Sequence, residues 1–188
     1  MLRAHEGYIR LSLVGPLGHE GKSALYKGFL KGQFHNFNME IYSIGHSTRT
    51  MEELLGLLRE HGIQTLVDVR HFPKSHKVPH FNGDNLRQVL TKAGIDYVYM
   101  GEQLGGYRKK GYEYYTMTEP FQEGVTKLIS IGRKSRTAFM CAERFPWRCH
   151  RRYIGFELQR LGAHLIHIID PGRDWIPKKQ TKLPEFAE

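Results

Sequence analysis

Between residues 41 and 169 the apolar positions change period several times, and each change marks an element. Ile41-Tyr42-Ser43-Ile44-Gly45 is a short apolar run and predicts a strand. Met51, Leu54, Leu55 and Leu58 then fall at i, i+3, i+4 and i+7, which predicts a helix from about Thr50 to His61. Thr50 and Glu53 frame a capping box at its start, and Gly62 stops it. Gln64–Val69 predicts the second strand. Leu86, Val89 and Leu90 give an apolar face to a helix over Asp84–Ala93, with Gly94 as its stop. Ile95–Met100 predicts the third strand. Thr118-Glu119-Pro120 opens a helix that ends at Gly132, with proline in its first turn. Thr137–Cys141 is the fourth strand, Pro146 opens a helix to Gly162, and His164–Ile169 is the fifth strand before the turn at Pro171-Gly172.

Strands that alternate with helices predict an α/β fold: a mainly parallel five-stranded sheet with helices on both faces, doubly wound in the flavodoxin or Rossmann manner. The domain spans 39–172. Residues 1–38 form a Gly-rich N-terminal extension, in which Tyr8–Val14 alternates weakly and reads as an edge strand. Residues 173–188 read as a loose, basic C-terminal tail. No internal repeat is present.

Composition narrows the class. The 188 residues carry a formal charge of +9 and are 40% hydrophobic, enough for a sizeable core and too much for a disordered chain. No apolar run approaches the ~18 residues of a membrane-spanning helix, so no membrane partner is expected. Two cysteines, Cys141 and Cys149, make no disulfide framework, and no signal peptide is read at the N-terminus. The expectation is a reduced, cytoplasmic, basic protein. The positive charge favours phosphate-bearing partners.

Gly15-Pro16-Leu17-Gly18-His19-Glu20-Gly21-Lys22-Ser23 imitates a phosphate-binding loop. Proline stands where that pattern needs its first glycine, and it has no N–H to give a phosphate. The segment is read as part of the extension.

In a parallel sheet, ligands bind outside the carboxyl ends of the strands, so the residues that follow each strand are the candidates. After the first come His46 and Ser47; Ser47 or Thr48 is expected to cap the next helix. After the second, alternation puts Asp68 and Arg70 on one face, with Arg70 ending the strand. Lys74, His76 and Lys77 make the following loop cationic. After the third come Gly105 and Gly106, suited to close backbone approach, then Tyr107, Arg108, Lys109 and Tyr112, which mix charge with stacking faces in the way single-stranded nucleic acid requires. After the fourth come Cys141, Glu143, Cys149, His150 and Arg151. A thiol near arginines and a helix N-terminus ionises readily. Cys141, Cys149 and His150 are also the one set able to ligate zinc. However, adjacent Cys149 and His150, both read as helical, would point about 100° apart, and no cofactor is expected.

Taken together, Ile44-Gly45-His46-Ser47-Thr48-Arg49, Val67-Asp68-Val69-Arg70-His71-Phe72-Pro73-Lys74-Ser75, Phe81-Asn82, Leu104-Gly105-Gly106 and Met140-Cys141-Ala142-Glu143 through Pro146-Trp147-Arg148-Cys149-His150-Arg151-Arg152 resemble the motif set of the DUF488 family. The motifs stand in the family's order over about residues 41–169. The resemblance implies a compact α/β domain with clustered polar motifs, and it sets no reaction. Residues 1–38 have no counterpart in it.

Three readings follow. The first is an enzyme-like domain with a cationic pocket at the strand ends, which takes a phosphate-bearing ligand, either a nucleotide or a nucleic acid. There Arg70, oriented by Asp68, and Arg151 hold the anion with Ser47 behind them, and Gly105, Gly106, Cys149 and His150 line the site. His46 and Glu143 are the acid/base candidates and Cys141 a candidate nucleophile. The second is a non-catalytic module that binds single-stranded nucleic acid through the Tyr107–Tyr112 loop and the dispersed Lys/Arg clusters at 133–136 and 173–182. The third is a small Cys/His metal protein. Whether the chain catalyses a reaction, and its oligomeric state, are not fixed by sequence.

Overall fold

The computed structural model describes residues 39–75 and 78–178. The expected extension with its Tyr8–Val14 strand and phosphate-loop mimic, His76 and Lys77, and the end of the tail all lie outside the described residues. Among the described residues no helix is long and apolar enough to cross a membrane.

The expected alternation is present: β1 (Glu40–Gly45), α1 (Met51–Glu60), β2 (Thr65–Asp68), α2 (Gly83–Lys92), β3 (Asp96–Tyr99), α3 (Gly101–Leu104), α4 (Tyr112–Thr116), α5 (Glu119–Gly132), β4 (Thr137–Cys141), α6 (Arg151–Arg160), β5 (His164–Asp170) and β6 (Arg173–Trp175). Two single 3-10 turns, Pro79–Phe81 and Pro146–Arg148, complete the set. At α1 the Thr50 hydroxyl accepts the Glu53 N–H at 3.1 Å, and the Glu53 carboxylate accepts the Thr50 N–H at 2.6 Å, so the capping box is formed.

The six strands lie in the order β3-β2-β4-β1-β5-β6. All pairs are parallel except β5–β6. Moving from β1 to β2 to β3 the chain steps one way across the sheet, and α1 and α2 cover one face. From β3 to β4 to β5 it steps back, and α5 and α6 cover the other. The crossovers therefore wind doubly, although β4 sits between β2 and β1, an order of neither the Rossmann nor the flavodoxin sheet. Two apolar cores result. Ile44, Leu54, Leu58, Leu66, Leu86 and Met140 belong to the α1/α2 side. Ile41, Val67, Phe139, Val125, Ile154 and Leu165 belong to the α5/α6 side. Each set alternates along its strands as the pleat requires.

Three expectations are corrected. The sheet has six strands, because Arg173–Trp175, assigned to the tail, pairs antiparallel with β5. The last long helix begins at Arg151 and not at Pro146, because the proline opens only a 3-10 turn and Cys149 is then extended, with φ −143° and ψ 171°. Ser47 and Thr48 do not cap α1, since Thr50 does; Ser47 instead sits in a tight turn with φ 49°.

Candidate functional site

The connection that leaves β2 turns toward α2 on one face, and the one that leaves β4 turns toward α6 on the other. The crevice outside the carboxyl ends of these two neighbours is the switch point of the sheet, the place where such folds bind ligands. Main-chain bonds carry the ladder past the strands into it: Val69 N–H donates to Met140 O at 2.9 Å, and His46 N–H to Cys141 O at 3.0 Å.

The wall on the α1/α2 side is a closed ion-pair network. Asp68 is fully buried at the end of β2. Its Oδ1 accepts Arg70 Nε at 2.8 Å and Arg70 N at 3.1 Å; its Oδ2 accepts Arg70 Nη2 at 2.5 Å and the Tyr97 hydroxyl at 2.8 Å. Arg70 Nη1 donates to His46 Nε2 at 3.2 Å. That leaves His46 Nδ1 as the protonated nitrogen, and it donates to Ser47 O at 3.0 Å. Burial, with Arg70 beside it, holds the His46 imidazolium pKa down to about 4. The ring packs 4.3 Å from Phe81. Burial and then the Asp68 charge raise the Tyr97 phenol. Alternation had put Asp68 and Arg70 on one face, and they are so placed. Arg70 lies just beyond the strand rather than ending it.

The opposite wall is built from soft donors. Cys141 ends β4, Cys149 is extended just ahead of α6, and His150 stands at the N-cap position of α6 without a side-chain bond to the helix end. Cys149 Sγ accepts the backbone N–H of Arg151 at 3.3 Å and its Nε–H at 3.2 Å. Burial pushes this thiol up, but the hydrogen bond from Cys141 and the Arg151 charge outweigh it, and its pKa falls to about 6. The Cys141 thiol is raised, first by the hydrogen bond it makes to Cys149 and then by burial. His150 Nε2 lies 3.1 Å from Val69 O. A carbonyl only accepts, so Nε2 carries the proton and Nδ1 keeps a lone pair, 3.9 Å from Cys141 Sγ. Burial lowers the His150 pKa to about 4. The two sulfurs and the imidazole nitrogen lie within 4.8 Å of one another and offer donor atoms to one metal ion. The divergence expected of adjacent helical residues is therefore corrected: Cys149 precedes the helix, so it and His150 converge.

Arg151 is completely buried and holds this wall together. Nη1 donates to Ser43 Oγ at 3.2 Å, and Nη2 to the carbonyls of Glu143 and of Arg144. Ser43 in turn lies 2.5 Å from His167 Nδ1. Ser43 and His167 are register partners on β1 and β5. Sequence reading passed over both, yet each is a polar residue at a core-facing position of an otherwise apolar strand.

The expected residues thus separate. Arg70 bonds to groups on the α1/α2 side and Arg151 to Ser43 on the α5/α6 side, so they form no joint clamp on an anion. Both ring nitrogens of His46 are engaged. The Glu143 side chain is exposed. Gly106 is needed for contact: a Cβ there would sit 2.6 Å from His150 Nδ1, so only glycine lets the loop lie across that ring. Of the four loop residues read for nucleic acid, Tyr107 and Lys109 are exposed. Tyr112 is a core residue whose hydroxyl donates to Leu104 O at 2.8 Å, because α4 turns it inward. Arg108 donates to Glu102 O at 2.6 Å and stacks 3.9 Å from the Tyr115 ring centroid.

Residues 50–156, more than half of the chain, match the model of a family described as "Domain of unknown function DUF488". No curated protein and no solved structure matches the chain.

Proposed function

The chain belongs to the DUF488 family, and from that premise we propose that the switch-point crevice is the centre of a metal-dependent enzyme in which Cys141, Cys149 and His150 hold one zinc ion. The observation that carries this reading is the His150 ring. A metal-binding histidine donates its second N–H to a carbonyl or carboxylate, which fixes the tautomer and aims the other nitrogen. His150 does this through Val69 O, and its lone pair faces Cys141. Two sulfurs and one imidazole suit zinc by softness. Arg151 favours ionised Cys149 by two N–H···S bonds. With Cys141, Cys149 and His150 as its protein ligands, a bound zinc would supply Lewis-acid chemistry toward a carbonyl or phosphoryl oxygen. The +9 charge of the chain favours a phosphate-bearing substrate.

Elemental analysis of protein purified without added metal tests the reading. About one zinc per chain is expected, with loss in Cys149→Ser and in His150→Ala. Metal content near zero in a chain that also fails to compete with a chromogenic chelator for added zinc would sink it. In that case the closeness of the two sulfurs, within 4.8 Å of one another, favours a second reading, a dithiol redox pair. Cys149 thiolate attacks a substrate disulfide and releases one thiolate; Cys141 then displaces the second, giving its proton to the leaving group and closing a Cys141–Cys149 disulfide. Faster alkylation of Cys149 than of Cys141, with disulfide formation under a small-molecule disulfide, is its signature.

A further inference from the structure

Two loops at the mouth of the crevice keep aromatic rings in water. Phe72 follows β2 and is 68% exposed; Tyr107 follows α3 and is 66% exposed. Their ring centroids are 6.0 Å apart, with planes at 50°. His71 packs beside both, 4.4 Å from Phe72 and 6.0 Å from Tyr107. The loops that carry them are tied down. The Tyr99 hydroxyl donates to His71 O at 3.1 Å, and Arg108 reaches His71 Nδ1 at 3.4 Å as well as Glu102 O. A Cβ on Gly105 would meet His71 Cα at 2.8 Å, so the two loops pack backbone to backbone. An ordered support that leaves two large rings exposed forgoes the stabilisation their burial would give, which is the mark of a contact surface.

The surroundings of the rings name the partner. Lys74, Lys109 and Lys110 are all exposed on these loops. No acidic residue occurs between Val69 and Gly83. Gly106, the residue before Tyr107, lies against His150, so the loop that carries the ring also packs on the Cys/His cluster. Aromatic faces with lysines around them fit unpaired bases on a phosphate backbone, since every base has a stacking face and a duplex hides it. We infer that Phe72 and Tyr107 form a stacking platform for single-stranded nucleic acid, with Lys74, Lys109 and Lys110 as its phosphate contacts. The inference goes beyond the metal reading and shares no side chain with it.

Fluorescence anisotropy with a labelled single-stranded oligodeoxythymidine, on chelator-treated protein, is the test. Chelation lets the platform and the metal reading fail separately. Binding at low salt is expected, and it should weaken as salt rises. Phe72→Ala and Tyr107→Ala should each reduce affinity about 5- to 150-fold with the salt slope unchanged. Lys109→Ala should flatten the log–log slope by about 0.7. Tyr107→Trp should bind as the unmodified chain does and show tryptophan quenching on titration. A duplex of the same length should bind less well. Equal affinity for duplex, unaltered affinity in both alanine variants, or no binding at low salt would each overturn the inference, and binding of thymidine monophosphate with equal affinity would assign the platform to a small nucleotide instead.

Discussion

The two walls of the crevice solve the burial of polar groups in opposite ways. On the α1/α2 side Asp68 and Arg70 cancel in charge, and Tyr97 and His46 occupy the positions around them. On the α5/α6 side Arg151 is buried with no carboxylate among its bonds; it is held by carbonyls, a hydroxyl and a sulfur. The first wall is complete without a ligand. The second holds a cation and a readily ionised thiol beside an imidazole with its lone pair turned inward. The difference teaches where to look for chemistry: a network whose charges cancel has a scaffold's energetics, while soft donor atoms that converge within 4.8 Å of one another are what a bound ion would complete.

Acid is expected to disturb both walls most. Burial keeps the folded His46 and His150 rings neutral to about pH 4 and lowers His167 to about 3, whereas each takes a proton near 6.5 in the unfolded chain. The unfolded state therefore binds more protons below pH 6.5. Stability of metal-free protein should be complete above that pH and fall steadily toward pH 4, by on the order of 3 kcal/mol per ring at the limit. Urea midpoints across this range measure it. A flat profile would mean the rings already carry charge in the folded state, and His167→Gln should make the decline shallower.

Asp68→Ala should come next. It leaves Arg70 buried without its carboxylate, a loss of about 3–5 kcal/mol. If Asp68→Ala unfolds no more easily than the parent chain, the α1/α2 wall is not the scaffold described. Chelation comes third: removing an ion present at about a hundred times its dissociation constant lowers stability by about 3 kcal/mol in the parent chain, and should change nothing in Cys149→Ser. The smallest effect should be Tyr97→Phe, which deletes one hydrogen bond to a charged group and should lower stability by about 2 kcal/mol with zinc content unaltered. Zinc lost in that variant would show the two walls to be coupled.

The elements were legible because their periods are clear: the helix of Met51, Leu54 and Leu58 and its Thr50 cap needed no tertiary information. β6 was illegible for the opposite reason. It is three residues long and has no buried residue, so it has no alternation to read. The site was half legible. A parallel sheet must bring strand-end residues to one edge, and alternation paired Asp68 with Arg70. The side from which Arg151 arrives depends on the direction of the crossover after β4, which no local pattern encodes. The convergence of Cys149 with His150 depends on one extended residue ahead of α6, hidden because Pro146 imitates a helix start.

The place of β4 between β1 and β2 bears on how the molecule is made. While the chain is being synthesised, β1 and β2 are not neighbours in the final sheet, and until Thr137–Cys141 emerges β1 has no partner on that side while β2 has only β3. Contacts so distant along the chain form slowly, because loop closure must come before any pairing rewards it. β4, which emerges after every strand it lies among, thus joins β1 to the β2–β3 pair before β5 is added. The crevice, framed by the ends of β2 and β4, comes into existence in that same event, so a half-made chain has neither a closed sheet nor a place to hold a ligand.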